Sequence, residues 1–202
     1  MNSTWKAIVG ISTIAGPLGF VLGWAILMQR AGQGPDSGWF LSHAFLLSGV
    51  ALMLPAIAGL RHLLNHHAVK SADIGMGLAL LGALALVGQF AIDLAVGQLS
   101  ANQSEMSSLF KRLSATPIIA LPFHVVGPIA FYIGLLMLTF LLLRYRIIPW
   151  WTGALAAVGI IGVGGGAMTG NALITLLGFV GMCAGFAPIG WKLLTQPNTG
   201  QL

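Results

Sequence analysis

Six long apolar runs divide the sequence, and each is close to the roughly 20 residues that an α-helix needs to cross the hydrocarbon core of a bilayer. Hydrophobic residues make up 57% of the chain and charged residues only 6%, a composition that cannot supply a water-soluble surface. We therefore predict an all-α integral membrane protein, a bundle of six transmembrane helices in one domain over residues 1–202. The predicted spans are 8–28, 39–60, 74–98, 118–143, 150–168 and 171–191.

The distribution of cations predicts how the bundle is oriented. If Met1 is cytoplasmic, six Lys and Arg residues lie inside and three outside, and cations favour the inner side. We predict a multi-pass protein of the cell membrane with both termini cytoplasmic. The net charge of +5 reflects only four acids rather than a basic patch, so we expect the lipid bilayer as a partner and no nucleic acid. The inner cations are Lys6, Arg61, Lys70, Arg144, Arg146 and Lys192, and the outer ones are Arg30, Lys111 and Arg112.

A weak internal repeat appears in the even-numbered spans. Each of them opens with a polar residue near the outer face and closes with a cation about 27–32 Å of helix later, which is about one hydrocarbon thickness. We therefore predict three helical hairpins in series. The pairs are His43 and Arg61, His124 and Arg144, and Asn171 and Lys192.

The segment between the third and fourth spans reads as a short external amphipathic helix near residues 102–116. Asn102 can cap this helix, with Glu105 three residues later. The apolar residues that follow recur at helical spacing, so we expect the helix to lie on the membrane surface. That apolar stripe consists of Met106, Leu109, Phe110 and Leu113.

Glycines recur at spacings that let helix backbones approach closely in a membrane. The run 164–166 lacks the Lys and Ser/Thr of a phosphate-binding loop, and we expect it to form the turn between the last two spans. The glycine pairs separated by three residues include Gly19 and Gly23, Gly162 and Gly166, and Gly181 and Gly185.

Polar residues inside the spans fall at nearly one depth when the spans are threaded through a bilayer. Asp93 is predicted about 8 Å below the outer boundary, and His43 and His124 within about 5–10 Å of it. Gln89 lies four residues before Asp93 and shares its helix face. A carboxylate at this depth costs a few kcal/mol unless it is neutral, paired or hydrated. We therefore predict an outward-facing intramembrane site.

These residue types favour an enzyme that acts on a lipid-soluble small molecule by acid-base chemistry, because imidazole and carboxylate groups exchange protons near neutral pH. In this hypothesis Asp93 and His124 are catalytic. Asp93 orients or charges the imidazole, and His124 acts as the base or acid. His43, Gln89 and Asn171 are the predicted substrate-binding residues.

The same residues allow two cofactor hypotheses. In a metal-assisted variant, His43, His124 and Asp93 would be three ligands of a transition metal with a fourth position open to water. In the other, His43 and His124 would be the axial ligands of a haem b in a membrane redox protein, with outer cations receiving its propionates.

A third class of function involves no chemistry at all. The protein would then be a structural or accessory membrane subunit, or a carrier, and the polar cluster would hold helices together. A single intramembrane carboxylate is a sparse relay for an ion-coupled carrier. The sequence leaves these three classes open, along with the identity of any substrate.

Overall fold

A computed structural model of the protein describes residues 2–30, 32, 34–65 and 67–195. All the secondary structure in these ranges is helical, which confirms the predicted fold class. Six of the described helical segments are long and apolar enough to cross a bilayer, as in a multi-pass membrane protein. The fourth of them, Pro117–Arg144, joins two α-helices through the π-helical segment Ala120–Val126. The α-helices are α1 (Ser3–Gln29), α2 (Ser37–His62), α3 (Val69–Leu99), α4 (Gln103–Ser114), α5 (Pro117–Ile119), α6 (Gly127–Arg144), α7 (Trp150–Thr169) and α8 (Ala172–Thr195).

Most of the observed helices extend beyond the predicted spans, and at α2 a polar cap outside the apolar run marks where the helix begins. The second span was predicted from residue 39, but α2 begins at Ser37. Asp36 precedes it, and its carboxylate accepts a hydrogen bond from the backbone N–H of Trp39 at 2.7 Å. Such a cap satisfies an amide group that has no partner within the helix.

The helices pack as three consecutive hairpins, as predicted. α1 lies along α2, α3 along α6, and α7 along α8. α1 also packs against α8, so the first and last spans are neighbours. Large side chains fill the interior between them: the ring of Phe20 lies 5.2 Å from that of Phe179 and 6.2 Å from that of Phe131.

Glycines line the close contacts within the hairpins, which confirms the packing role predicted from their spacing. A Cβ atom added at Gly19 would lie 2.8 Å from the Cα atom of Gly49 on α2. One added at Gly166 would lie 2.5 Å from the backbone nitrogen of Thr175 on α8. Neither helix pair could approach as closely with larger side chains.

The prediction that glycines 164–166 form a turn is wrong. They belong to the last part of α7, and the helix continues to Thr169. The turn is made by Gly170, whose φ of 67° lies in the left-handed region that glycine adopts at low cost. Of the three glycines, Gly166 marks close packing with α8, and the chain reverses only at Gly170.

The loops collect at two ends of the bundle. At one end α4 covers the loop before α2, where Gly34 lies next to Gln103, and the Trp24 indole donates a hydrogen bond to the carbonyl of Ala172 at 2.9 Å. The predicted cap of α4 is confirmed, since Asn102 accepts a hydrogen bond from the amide of Glu105 at 3.0 Å. The end that carries α4 is called the α4 end below, and the other end of the bundle is called the opposite end.

Candidate functional site

A buried histidine and a buried aspartate meet between α2 and α3. His43 is 4% exposed and Asp93 is 7% exposed. The Nε2 atom of His43 lies 3.7 Å from Oδ2 of Asp93. The predicted proximity of these two residues is therefore confirmed, and they form the centre of the candidate site.

The hydrogen bonds of His43 assign its tautomer. Its Nδ1 atom lies 2.9 Å from the carbonyl oxygen of Trp39, which can only accept. The Ser42 hydroxyl donates its own hydrogen to the same carbonyl at 2.8 Å, so it faces Nδ1 at 3.2 Å as an acceptor. The network therefore places a hydrogen on Nδ1 of His43 and leaves Nε2 directed at Asp93.

This arrangement requires a proton between the two side chains. In a neutral imidazole with Nδ1–H, the Nε2 atom is an acceptor, and an ionised carboxylate is an acceptor as well. Burial of both groups makes an unshared negative charge costly. The pair is stable either as a carboxylic acid beside a neutral imidazole or as a carboxylate beside an imidazolium. In both forms His43 and Asp93 hold one exchangeable proton.

The separation of the pair leaves room for a third group. At 3.7 Å, Nε2 and Oδ2 are too far apart for a direct hydrogen bond. A hydroxyl or carbonyl oxygen can lie about 2.8 Å from both atoms at once, which is a normal hydrogen-bond distance. The site can therefore bridge an oxygen of a small molecule.

Trp39 positions the pair, a role that the sequence did not reveal. Its indole ring lies against the His43 ring with centroids 3.8 Å apart. Its Nε1–H donates to the backbone carbonyl of Asp93 at 3.1 Å, which ties the start of α2 to the end of α3. The ring fits because Gly97 has no side chain: a Cβ atom there would lie 2.8 Å from two atoms of the indole. The separation of Trp39 and His43 by four residues was the available signal, because it places both on one helix face.

Arg30 and Asp36 form a charged layer above the indole. The guanidinium carbon of Arg30 lies 5.0 Å from the centroid of the Trp39 ring, within cation–π distance. Its Nε atom pairs with the Asp36 carboxylate at 3.0 Å. The hydrogen bond from Arg30, followed by that from the amide of Trp39, holds the pKa of Asp36 below its usual range. The carboxylate is therefore ionised at neutral pH and caps α2.

A cavity of about 360 Å³ opens beside this layer, between α4 and the ends of α1, α2 and α8. Its walls are mostly aromatic and thioether side chains with a single cation. Trp39 lines this cavity and also packs on His43, so its indole stands between the open space and the buried pair. The lining residues are Trp24, Leu27, Met28, Arg30, Gly32, Trp39, Met106, Ser107, Phe110 and Ala172.

His124 and Gln89 each carry a buried polar atom that has no hydrogen-bond partner in the described chain. His124 lies in the π-helical segment, and a π-helical turn within a helix is frequently found at functional sites. The Nδ1 atom of His124 and the Oε1 atom of Gln89 are buried, and neither has a hydrogen-bond partner among the described residues. The π-helical segment packs on α3, where Phe123 covers Gly88. No hydrogen bond in the described chain joins His124 to Asp93.

Asn171 lies at the α4 end of the bundle and is exposed. Its side-chain oxygen accepts a hydrogen bond from the amide of Ile174 at 3.1 Å, so it caps the first turn of α8. This contact accounts for the polar residue at the start of the last span. The predicted substrate contact of Asn171 stays a prediction.

The geometry gives the two cofactor hypotheses little support. Nδ1 of His43 is bonded to the Trp39 carbonyl and Nε2 faces the Asp93 carboxylate, so a haem iron would have to take the place of Asp93 beside Nε2. In the part of the chain that the structure describes, no group of three or more His, Cys, Asp or Glu residues is arranged to hold a metal ion. The metal set of His43, His124 and Asp93 stays a prediction.

The chain was also compared with known proteins. It matches no protein-family model, and no curated protein or solved structure is significantly similar to it. Any function must therefore be argued from the site itself.

Proposed function

We propose that the protein is a multi-pass membrane enzyme in which His43 and Asp93 exchange a proton with a lipid-soluble small molecule. One observation carries the proposal: a buried imidazole whose Nδ1 is fixed by a carbonyl presents its Nε2 to a buried carboxylate at 3.7 Å. A carboxylate that orients and charges a histidine is a common arrangement for general acid-base catalysis.

The proposed roles follow from the tautomer. In the carboxylic acid form of the pair, Asp93 gives its proton to the substrate while Nε2 of the neutral His43 takes another proton from it, so the pair passes to the carboxylate and imidazolium form. The carbonyl of Trp39 keeps the other ring hydrogen on Nδ1, so the incoming proton goes to Nε2. The substrate thus loses one proton and gains one at its oxygen or at a neighbouring carbon, and the proton that stays on the pair exchanges with water before the next turnover. The protein ends the cycle unchanged, which requires no external oxidant or reductant.

The surfaces next to the pair indicate where the apolar and the polar parts of the substrate would lie. The cavity beside Trp39 is lined by aromatic and Met side chains, which favour an apolar body, and Arg30 faces it as the one lining cation. Gln89 lies one helical turn from Asp93 with an acceptor oxygen that has no partner in the described chain. In the proposal it receives a hydroxyl or amine hydrogen of the substrate, which keeps its predicted role.

His124 takes a smaller part than the sequence suggested. Since His43 is the imidazole beside Asp93, we assign the base to His43 rather than to His124. The unpartnered Nδ1 atom of His124 makes it a second polar contact for the substrate. Asn171 is not used in the proposal, because its side-chain oxygen already caps α8.

The experiment compares Asp93→Asn and His43→Gln with the control Asp73→Asn, an exposed carboxylate at the opposite end of the bundle that undergoes the same chemical change. Purified protein is incubated with membrane lipid extract in D₂O, and lipids that gain deuterium are sought by mass spectrometry. The proposal expects exchange with wild type and with the control, and about 10²-fold or greater loss in the two site variants. Complementation of a deletion strain should follow the same order.

A structural role for the pair is the competing explanation, because the Trp39 indole and the His43–Asp93 contact both join α2 to α3. A purely structural pair would cost Asp93→Asn about 1 kcal/mol of stability and no activity. If both site variants fold, complement fully and leave deuterium exchange unchanged, the acid-base proposal is wrong.

A further inference from the structure

At the opposite end of the bundle, two cavities meet at the loop between α6 and α7. The larger, of about 490 Å³, lies beside Arg146 and Trp150, and the smaller reaches between the ends of α2 and α8. They share Ile147, Ile148, Pro149 and Lys192, so together they form one continuous recess. We call it the loop recess. It does not include the His43–Asp93 pair, and the proposed enzyme activity does not use it.

Two cations line the loop recess without a carboxylate partner in the described chain. The three ion pairs of the described residues all lie elsewhere and involve Asp36, Asp73 and Asp93. The fourth acid, Glu105, receives a hydrogen bond from the amide of Ala101 at the other end of the bundle. The positive charges of the loop recess are therefore not compensated by an acidic side chain of the described residues.

The backbone of Arg146 supplies an independent observation. Its φ of 53° lies in the left-handed region, which a side chain with a Cβ atom rarely adopts. The amide of Ile147 donates to the carbonyl of Leu142 at 2.9 Å, and that of Arg146 to the carbonyl of Leu143 at 3.0 Å. These two hydrogen bonds form a common helix C-terminal cap, in which the left-handed position, here Arg146, is usually occupied by glycine. An arginine held in such a conformation suggests a function for its side chain.

The remaining walls of the loop recess are apolar. Leu143, Ile147 and Ile148 line the part next to Arg146, and Trp150, which is 77% exposed, stands at its edge. Exposed indole rings favour the headgroup level of a membrane. A ligand that fits must therefore combine an anionic group for the cations with a hydrocarbon chain for the walls.

We propose that the loop recess binds an anionic phospholipid, with the phosphate held between Arg146 and Lys192. The acyl chains run along the apolar walls, and the Trp150 ring lies beside the glycerol region. Basic pockets between membrane helices bind lipid phosphates in this way. A free phosphate would satisfy the charges but leave the apolar walls unused, which is why the lipid is the proposed ligand.

The experiment titrates the full-length protein in detergent micelles with phosphatidylglycerol and with phosphatidylcholine of the same acyl chains, and counts bound lipid by native mass spectrometry. Arg146→Gly removes the cation and also relieves the left-handed backbone, so it tests the site without harming the fold. Lys192→Gln removes the second cation. Arg144→Gln is the matched control, since Arg144 is exposed at the same end but does not line the loop recess.

We expect phosphatidylglycerol to bind wild type at least fivefold more tightly than phosphatidylcholine. Arg146→Gly and Lys192→Gln should each weaken phosphatidylglycerol about fivefold, and Arg144→Gln should not. Arg146→Gly should melt at the wild-type temperature or above it in lipid-free micelles.

Three results would overturn the proposal. Equal loss of affinity in all three variants would mean diffuse attraction to a basic surface. Both lipids carry a phosphate, so equal binding would mean that the cations of the loop recess do not select the lipid by the net charge of its headgroup. Inorganic phosphate is added in a separate thermal-unfolding measurement. If it alone raised the melting temperature as much as phosphatidylglycerol does, the loop recess would be a site for a soluble anion rather than for a lipid.

Discussion

Replacing Gly97 tests whether Trp39 positions the buried pair. A Cβ atom at Gly97 would lie 2.8 Å from both Cδ1 and Nε1 of the Trp39 indole, well inside ordinary contact. Overpacking of this kind costs about 1–3 kcal/mol. Alanine gains about 1 kcal/mol over glycine within a helix. The net effect of Gly97→Ala in wild type should therefore be a loss of about 0–2 kcal/mol.

The effect of Gly97→Ala on the free energy of unfolding should change sign when the indole of Trp39 is removed. In a Trp39→Ala background the overlap disappears, so Gly97→Ala should stabilise the protein by about 1 kcal/mol. The ring of Phe40 lies 3.3 Å from the added Cβ in both backgrounds, and its contribution cancels from the cycle. The coupling free energy between Trp39 and Gly97 should then be about 1–3 kcal/mol.

The assay is reversible unfolding in mixed detergent micelles, measured for wild type, the two single variants and the double variant. In the same samples, Gly97→Ala should lower any activity assigned to His43 and Asp93, because the displaced indole no longer holds the imidazole. An equal free-energy change for Gly97→Ala in the two backgrounds would refute the reasoning, and Trp39 would then not be confined by Gly97.

Three further predictions concern other parts of the chain. Gly166→Ala should destabilise the α7–α8 hairpin by about 1–3 kcal/mol, because the added Cβ atom would overlap the backbone of Thr175. Gly165→Ala is the control: open space lies beside Gly165, so this variant should be neutral or slightly stabilising in thermal unfolding. Because folding lowers the pKa of Asp36, its charge stabilises the fold at pH values above its unfolded-state pKa. This contribution is lost as the pH falls through the folded-state pKa. Asp36→Asn should therefore flatten the acid limb of a curve of stability against pH. Reporter fusions at Gln103 and Gln201 should report opposite compartments, the second cytoplasmic, and equal readings would refute the predicted orientation.

Much of the fold followed from the sequence because a bilayer imposes simple constraints. A helix that crosses hydrocarbon must satisfy its backbone internally and be apolar over a fixed length, so six apolar runs predicted six spans. The short amphipathic helix α4 was also predictable, since Asn102 as a cap and an apolar stripe at helical spacing are local signals. Spacing along the helices also placed His43 and Asp93 at one level.

Side-chain partners depended on how the helices rotate and approach each other, which no local pattern encodes. His43 and His124 looked equivalent in the sequence, but in the described chain only His43 forms an ion-pair contact with Asp93, across the packing of α2 on α3. The position of the Trp39 ring depended on the close approach of Gly97 on α3, which spacing along α2 does not encode. The sequence by itself determined the six long apolar helices and the level of His43 and Asp93 along them, since these depend on distance along a single helix. The tertiary structure alone decided which of those residues touch, since that depends on the packing of α2 against α3.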